Sequence, residues 1–278
     1  MRTQITKYAV AISAVFVCSF AAMPVMAEPG ADDADSAQTD GAGEASEQQA
    51  EQPPANAEEI LQQVDDELTA VEDLRANCVL TITDSSGSTD ERKLTVMQKD
   101  DDKRLIQLTE PARLRGVGLL AKAEGQDYLY LPAMRRVRRI AGAERDEPFL
   151  DSDFTNDDLT RTTFSSRYRP ELLDDDAEHW RLRLTPRDSD DDRYSKLRMK
   201  VRKKDHQPVE IEYFEEGSDE ATRRLTTSGF DTVESQVIAH KFLVENLETG
   251  GQSTLELSDV EVNIGLDDSL FSRRQLQR

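Results

Sequence analysis

Cysteine, histidine and aromatic side chains are scarce in this 278-residue chain, which has two Cys, three His, one Trp and 6% aromatics overall. So few Cys and His exclude a zinc ribbon or a disulfide scaffold. The aromatics allow only a small stacking platform for bases or sugars. Basic charge is also short: 35 Lys and Arg face 56 Asp and Glu, a formal charge of −21. That balance excludes a basic footprint for phosphate backbones, so no nucleic-acid partner is expected. Beyond the first residues no apolar run approaches the roughly 18 needed to span a bilayer, so any membrane contact should be transient.

The first 27 residues have the pattern of a secretory signal peptide. Arg2 and Lys7 precede an apolar run from Tyr8 to Ala22, and Val25-Met26-Ala27 supplies small residues for cleavage after Ala27. Phe16 and Val17 stand before Cys18 where a lipobox has small residues, so a cleaved signal and a periplasmic, soluble product are expected. Residues 28–57 are rich in Ala, Asp, Glu, Gln, Gly and Pro. Between Glu28 and Glu59 there are ten acids and no Lys or Arg, a composition too poor in apolar area to offset ordering entropy, which predicts an acidic disordered linker. Residues 60–278 still carry 46 acids against 33 bases. The acid runs at Asp174–Asp176 and Asp190–Asp192 read as solvated surface.

The folded domain is expected over 58–278. Ile60, Leu61, Val64, Leu68 and Val71 recur at helical spacing among acids, predicting an amphipathic helix of about four turns. The period then changes to two. Cys78, Leu80 and Ile82 alternate with polar residues, a turn at 84–88 follows, and Leu94 and Val96 return, which is a hairpin. Further strands are expected at 104–108, 128–131, 179–184, 194–201, 208–214, 241–247 and 254–262. Alternation such as Trp180, Leu182 and Leu184 against Arg181 and Arg183 predicts one apolar and one wet face. The spacings leave no room for crossover helices, so a mainly β, antiparallel sheet of about ten strands is expected, curved or partly closed. The opening helix and a less regular segment near 149–173 are the available covers for its apolar face.

A search for chemistry finds little. The histidines, His179, His206 and His240, have no metal-ligand spacing. No phosphate loop and no Gly-x-Ser-x-Gly elbow is present. Asp151, Asp153, Asp157 and Asp158 lack the glycine and terminal glutamate of a calcium loop. No catalytic residue, metal or cofactor is therefore assigned, and the protein is expected not to be an enzyme. One basic cluster stands out: Arg135, Arg136, Arg138 and Arg139. It is either a solvated strand face paired with local acids, with Arg139 facing Asp153 or Asp158, or a contact for an anionic headgroup or acidic partner.

The most specific stretch runs from Pro111 to Leu159. It contains Pro111-Ala112-Arg113-Leu114-Arg115-Gly116, then Tyr128-Leu129-Tyr130-Leu131-Pro132, then Arg138-Arg139-Ile140, then Ser152-Asp153-Phe154 followed by Asp158-Leu159. In that order these motifs resemble the LolA-like family of outer-membrane lipoprotein-sorting proteins, and Leu266-Asp267-Asp268-Ser269-Leu270-Phe271 is similar to that family's C-terminus. Leu150 and Asp151 depart from the Met-Gly pair usual before Ser-Asp-Phe, and Asn156 stands where an aromatic is common. The resemblance implies an incomplete antiparallel β-barrel with helices over a concave apolar face. It also implies periplasmic carriage of lipid or acylated-protein cargo, with an RND-type inner-membrane transporter as a partner. The inward residues expected to meet cargo are Leu80, Ile82, Leu94, Val96, Leu182, Leu197, Met199 and Ile211. Gly116, Leu131, Pro132, Ser152, Asp153, Phe154 and Asp158 carry the family motifs. The alternative is a sensor or exporter accessory subunit that uses the same fold to bind a protein.

Overall fold

The computed structural model describes residues 56–122, 126–161, 163–188 and 193–278. The expected signal peptide, nearly all of the acidic linker and Asp190–Asp192 lie outside them. The first element is α1, Ala57–Leu68, where Asn56 caps the N-terminus by accepting from the Glu58 amide (3.1 Å). It is a turn shorter than the apolar spacing predicts. Val71 lies beyond it, although buried.

Thirteen strands follow. The first six are β1 Asp73–Thr83, β2 Thr89–Lys99, β3 Lys103–Glu110, β4 Gly118–Ala121, β5 Asp127–Leu131 and β6 Arg136–Ile140. A one-turn helix α2, Asn156–Thr160, lies between β6 and the next strand. The others are β7 Tyr168–Asp175, β8 His179–Pro186, β9 Lys196–Arg202, β10 Pro208–Phe214, β11 Arg223–Val233, β12 Gln236–Asn246 and β13 Gln252–Val262, and α3, Arg273–Leu276, closes the chain. All strands form one antiparallel sheet in the order β6-β5-β4-β3-β2-β1-β13-β12-β11-β10-β9-β8-β7. The first wing, β1 to β6, runs outward from the middle. The chain then restarts at the opposite edge and works back from β7 until β13 pairs with β1. The sheet is open, with β6 and β7 as its edges, and is not closed into a barrel. The count exceeds ten because β4, β6, β7 and β11 were not delimited by alternation. β4 is buried at all four residues and so does not alternate, and β7 claims residues expected to be irregular.

Cross-strand partners share a face, and one apolar row can be followed through eight strands. It runs Leu172, Leu182, Met199, Ile211, Leu225, Val244, Ser253, Ile82, each paired with the next. On this inner face two clusters form. One, beneath β1 to β3 and β13, gathers Leu80, Leu94, Ile106, Phe149 and Phe154. The other packs Ile60, Leu61 and Val64 of α1 against Tyr168, Leu182, Leu184, Leu197 and Met199.

The outer face is not uniformly wet, contrary to the one-sided pattern expected. Over the first wing, Leu105 and Leu120 pack with Leu266, Phe271 and Leu276 of the C-terminal segment, flanked by Met97, Tyr128, Tyr130 and Val137. Gly118 makes room there: a Cβ would stand 2.7 Å from Leu276 Cδ1, so that side chain would have to shift. Asp73 secures this segment by accepting from the amides of Ile264, Gly265 and Leu266 at 2.9 Å each. Over the second wing the outer face is charged, with Arg198–Glu212, Arg224–Glu212 and Arg183–Glu171 pairs at 2.9–3.0 Å.

Candidate ligand cavity

Because β6 and β7 are the two sheet edges, the connection between them, residues 141–167, must travel across the sheet. This strap contains the Ser-Asp-Phe and Asp-Leu motifs. Phe149, Phe154 and Leu159 sink into the first inner cluster and Phe164 into the second, while polar groups fix its path. Ser152 Oγ donates to the Phe149 carbonyl at 2.7 Å. Asp153 accepts from Ser253 Oγ at 2.7 Å and its amide donates back at 2.9 Å, so the one polar member of the long row is where the strap sits. Thr155 and Asp158 form a reciprocal capping box on α2. Asp158 also accepts from both ends of the Arg223 guanidinium of β11, and the two side chains are only 7% and 8% exposed. Asp65 of α1 accepts from the amides of Phe164 and Ser165 at 2.7 and 2.8 Å.

Burial drives the Asp157 carboxyl up, but Arg161 and Arg167 beside it outweigh burial and hold it below the ordinary carboxylate range. Leu150 and Asp151, in place of the family's Met-Gly pair, lie in the left-handed region at φ 52° and 63°, a conformation natural for glycine. The Leu150 carbonyl is held by Arg92.

Between the strap, the end of α1 and strands β1 to β3 and β10 to β13 lies a cavity of about 250 Å³. Its wall is mostly apolar, with Leu74, Val96, Ile106, Phe154, Ile211 and Phe242 among the lining residues. Polar groups intrude at a few points, notably Gln98, Arg104 and Gln207. Of the residues expected to meet cargo, Val96 and Ile211 line this cavity. Leu80 and Leu94 line a small void of about 10 Å³ under Phe149 and Phe154, and Ile82 packs at the edge of the same cluster. Leu182, Leu197 and Met199 are fully buried in the cluster that receives α1 and do not line the cavity. Sequence reasoning missed Gln98 and Arg104. Their signal was legible: each is a polar residue at an inward position of an otherwise apolar alternation, after Leu94 and Val96 and before Ile106 and Leu108. Cys78, also inward, is buried, which pushes its thiol up to about 12 and keeps it protonated.

The arginine cluster is divided by the pleat. Arg136 pairs across β5 with Leu131 and Arg138 with Leu129, whereas Arg139 pairs with Tyr128 on the other face. All four arginines are exposed, and Arg138 lies 3.6 Å from both Glu144 and Glu147. Asp153 and Asp158 engage Ser253 and Arg223, not Arg139. Gly116 and Pro132 of the family motifs meet: Gly116 is at φ 80° and a Cβ there would lie 3.5 Å from Pro132 Cγ. Leu131 packs on the first inner cluster.

The architecture is thus an open antiparallel sheet with an apolar inner cavity under a crossing strap. A family model described as that of an uncharacterized protein matches residues 100–278, and the chain belongs to that family. Solved structures share its fold. A domain from Vibrio parahaemolyticus, named as an outer membrane lipoprotein-sorting protein, is 24% identical, with a TM-score of 0.72 over 80% of this chain and 100% of that one. A DUF1329 family protein from Desulfovibrio piger is 22% identical, TM-score 0.72, over 80% and 99%. A LolA superfamily protein from Nitrosomonas europaea is 22% identical, TM-score 0.66, over 80% and 99%. None of the curated proteins matches.

Proposed function

We propose that this protein is a non-enzymatic periplasmic carrier that holds a lipid or acylated-protein cargo in the cavity beneath the strap. In this reading the inner face is the concave side of an incomplete barrel, and α1 and the strap are its covers. The observation that carries it is the 250 Å³ apolar cavity, set in a fold shared with lipoprotein-sorting and LolA superfamily structures. An acyl chain entering it would leave water with a gain of about 0.8 kcal/mol per buried methylene. The signal-peptide pattern of residues 1–27 supports export. Among the described residues no helix is long and apolar enough to cross a membrane. An RND-type exporter as partner gains no support from the structure or its relatives.

The test is mass spectrometry of organic extracts from protein purified without detergent from its own periplasm. A lipid or acylated protein at near one equivalent is the expected result. A clean extract from well-folded protein would overturn the carrier reading.

A further inference from the structure

The cavity wall contains a guanidinium that no carboxylate pairs with among the described residues. Arg104 enters at an inward position of β3, between Gln98 of β2 and the strap. Its Nη1 donates to the Leu159 carbonyl at 3.1 Å and, at 3.5 Å, to the Arg161 carbonyl, and its Nη2 donates to Gln98 Oε1. These are neutral acceptors. Its Nε has no hydrogen-bond partner among the described residues. Arg104 forms no ion pair among those residues, whereas Arg161 is paired with Asp157, and Asp158 with Arg223. Glu67, from the last turn of α1, also lines the cavity but does not compensate Arg104. Burial alone moves this guanidinium, down to about 10, with no carboxylate raising it. It therefore stays cationic at neutral pH, in an apolar wall where an uncompensated charge is costly.

The size of the cavity narrows what could provide the missing anion. At about 250 Å³ it falls below the roughly 300–1,000 Å³ of pockets that enclose drug-sized ligands, which suits one acyl chain rather than several. We propose that the cavity takes a single-chain amphiphile whose anionic head, a carboxylate or phosphate, pairs with Arg104 while its chain lies against Val96, Ile106, Ile211 and Phe242. A guanidinium carries five donors; three are engaged here, Nε is buried without a partner, and the second Nη2 hydrogen is left to meet an oxyanion in a charge-assisted contact. Gln98 and the strap carbonyls hold the guanidinium plane in place before the ligand arrives.

This inference rests on the carrier reading, and the experiment separates the two. The full mature chain, stripped of bound lipid, is titrated by calorimetry with oleate, with oleoyl lysophosphatidate and with oleyl alcohol, which has the same chain and no charge. The unaltered protein should prefer an anionic ligand over the alcohol by at least about tenfold, as a charge-assisted contact predicts. Arg104→Gln should bring that ratio to about one, and Arg104→Lys, which keeps the charge but loses the fork, should leave it in between. If Arg104→Gln does not fold, the ratio in the unaltered protein and in Arg104→Lys still decides. Dependence on Arg104 for oleate alone, or for the phosphate alone, names the head group. Binding of the alcohol and the anions with equal affinity would overturn this inference and leave the carrier reading standing. Binding of none of them would overturn both.

Discussion

The two wings of the sheet solve the same problem differently. In the first wing, β3 to β5 are apolar on both faces: the strap covers the inner one and the C-terminal segment the outer one, so β4 is buried at every residue. In the second wing, β7 to β11, only the inner face is apolar, and the outer face carries cross-strand arginine–carboxylate pairs. A strand packed on two sides gains burial but loses the alternating signature, while a one-sided strand keeps the signature and depends on its single cover. The wings are tied together by a few buried polar contacts from the strap, and it is there that substitutions should do most damage.

Arg223→Met leaves the Asp158 carboxylate buried without its partner and should cost about 3–5 kcal/mol in urea denaturation. A loss under 1 kcal/mol would show that the strap is not held through β11. Leu276→Ala removes a fully buried contact from the outer cover of the first wing and should cost about 2–5 kcal/mol. On the second wing's outer face the buried Phe214 is covered by the side chains of Lys196 and Arg198, so an equal loss from Phe214→Ala would break the comparison. Acid should loosen the strap. The Asp157 pKa is lowered on folding, so its contribution is fully present above its unfolded value near 4 and is lost as pH falls through the lower folded one. Asp157→Asn should flatten the stability–pH curve in that acid range, with denaturation midpoints at several pH values as the check. Asp151→Gly relieves a left-handed non-glycine residue and should raise stability by roughly 1 kcal/mol. Arg198→Ala, on the wet face, should change it by less than about 1 kcal/mol, and by less still at high salt.

The same contrast explains what could be read from the sequence. The one-sided strands, 179–184, 208–214 and 254–262 among them, were legible because period-two alternation records a face in water. Gly118–Ala121 was invisible because a strand buried on both sides has no period. The strap was recognisable only as motifs. Ser152, Asp153 and Asp158 resemble site residues on paper, yet each spends its hydrogen bonds within the protein, on Phe149, Ser253 and Arg223. The Thr155–Asp158 capping box obeys a known sequence rule and could have been found. The face-splitting of Arg138 and Arg139 follows from the pleat once β6 is recognised as a strand. That Arg104 lacks a counter-charge could not be read from the sequence, because whether an inward arginine finds a carboxylate depends on which strands meet.

The strap is also a matter of timing. Its residues are synthesised before the second wing, but its seats come later: Arg223 lies 65 residues beyond Asp158, and Ser253 lies 100 beyond Asp153. Contacts of such long sequence separation form slowly. Until β11 to β13 have emerged and β13 has found β1, the first wing keeps its inner face open. A chain cut short anywhere before Ser253 would therefore display that apolar face permanently, presenting to a protease or chaperone the surface that the strap covers in the finished molecule.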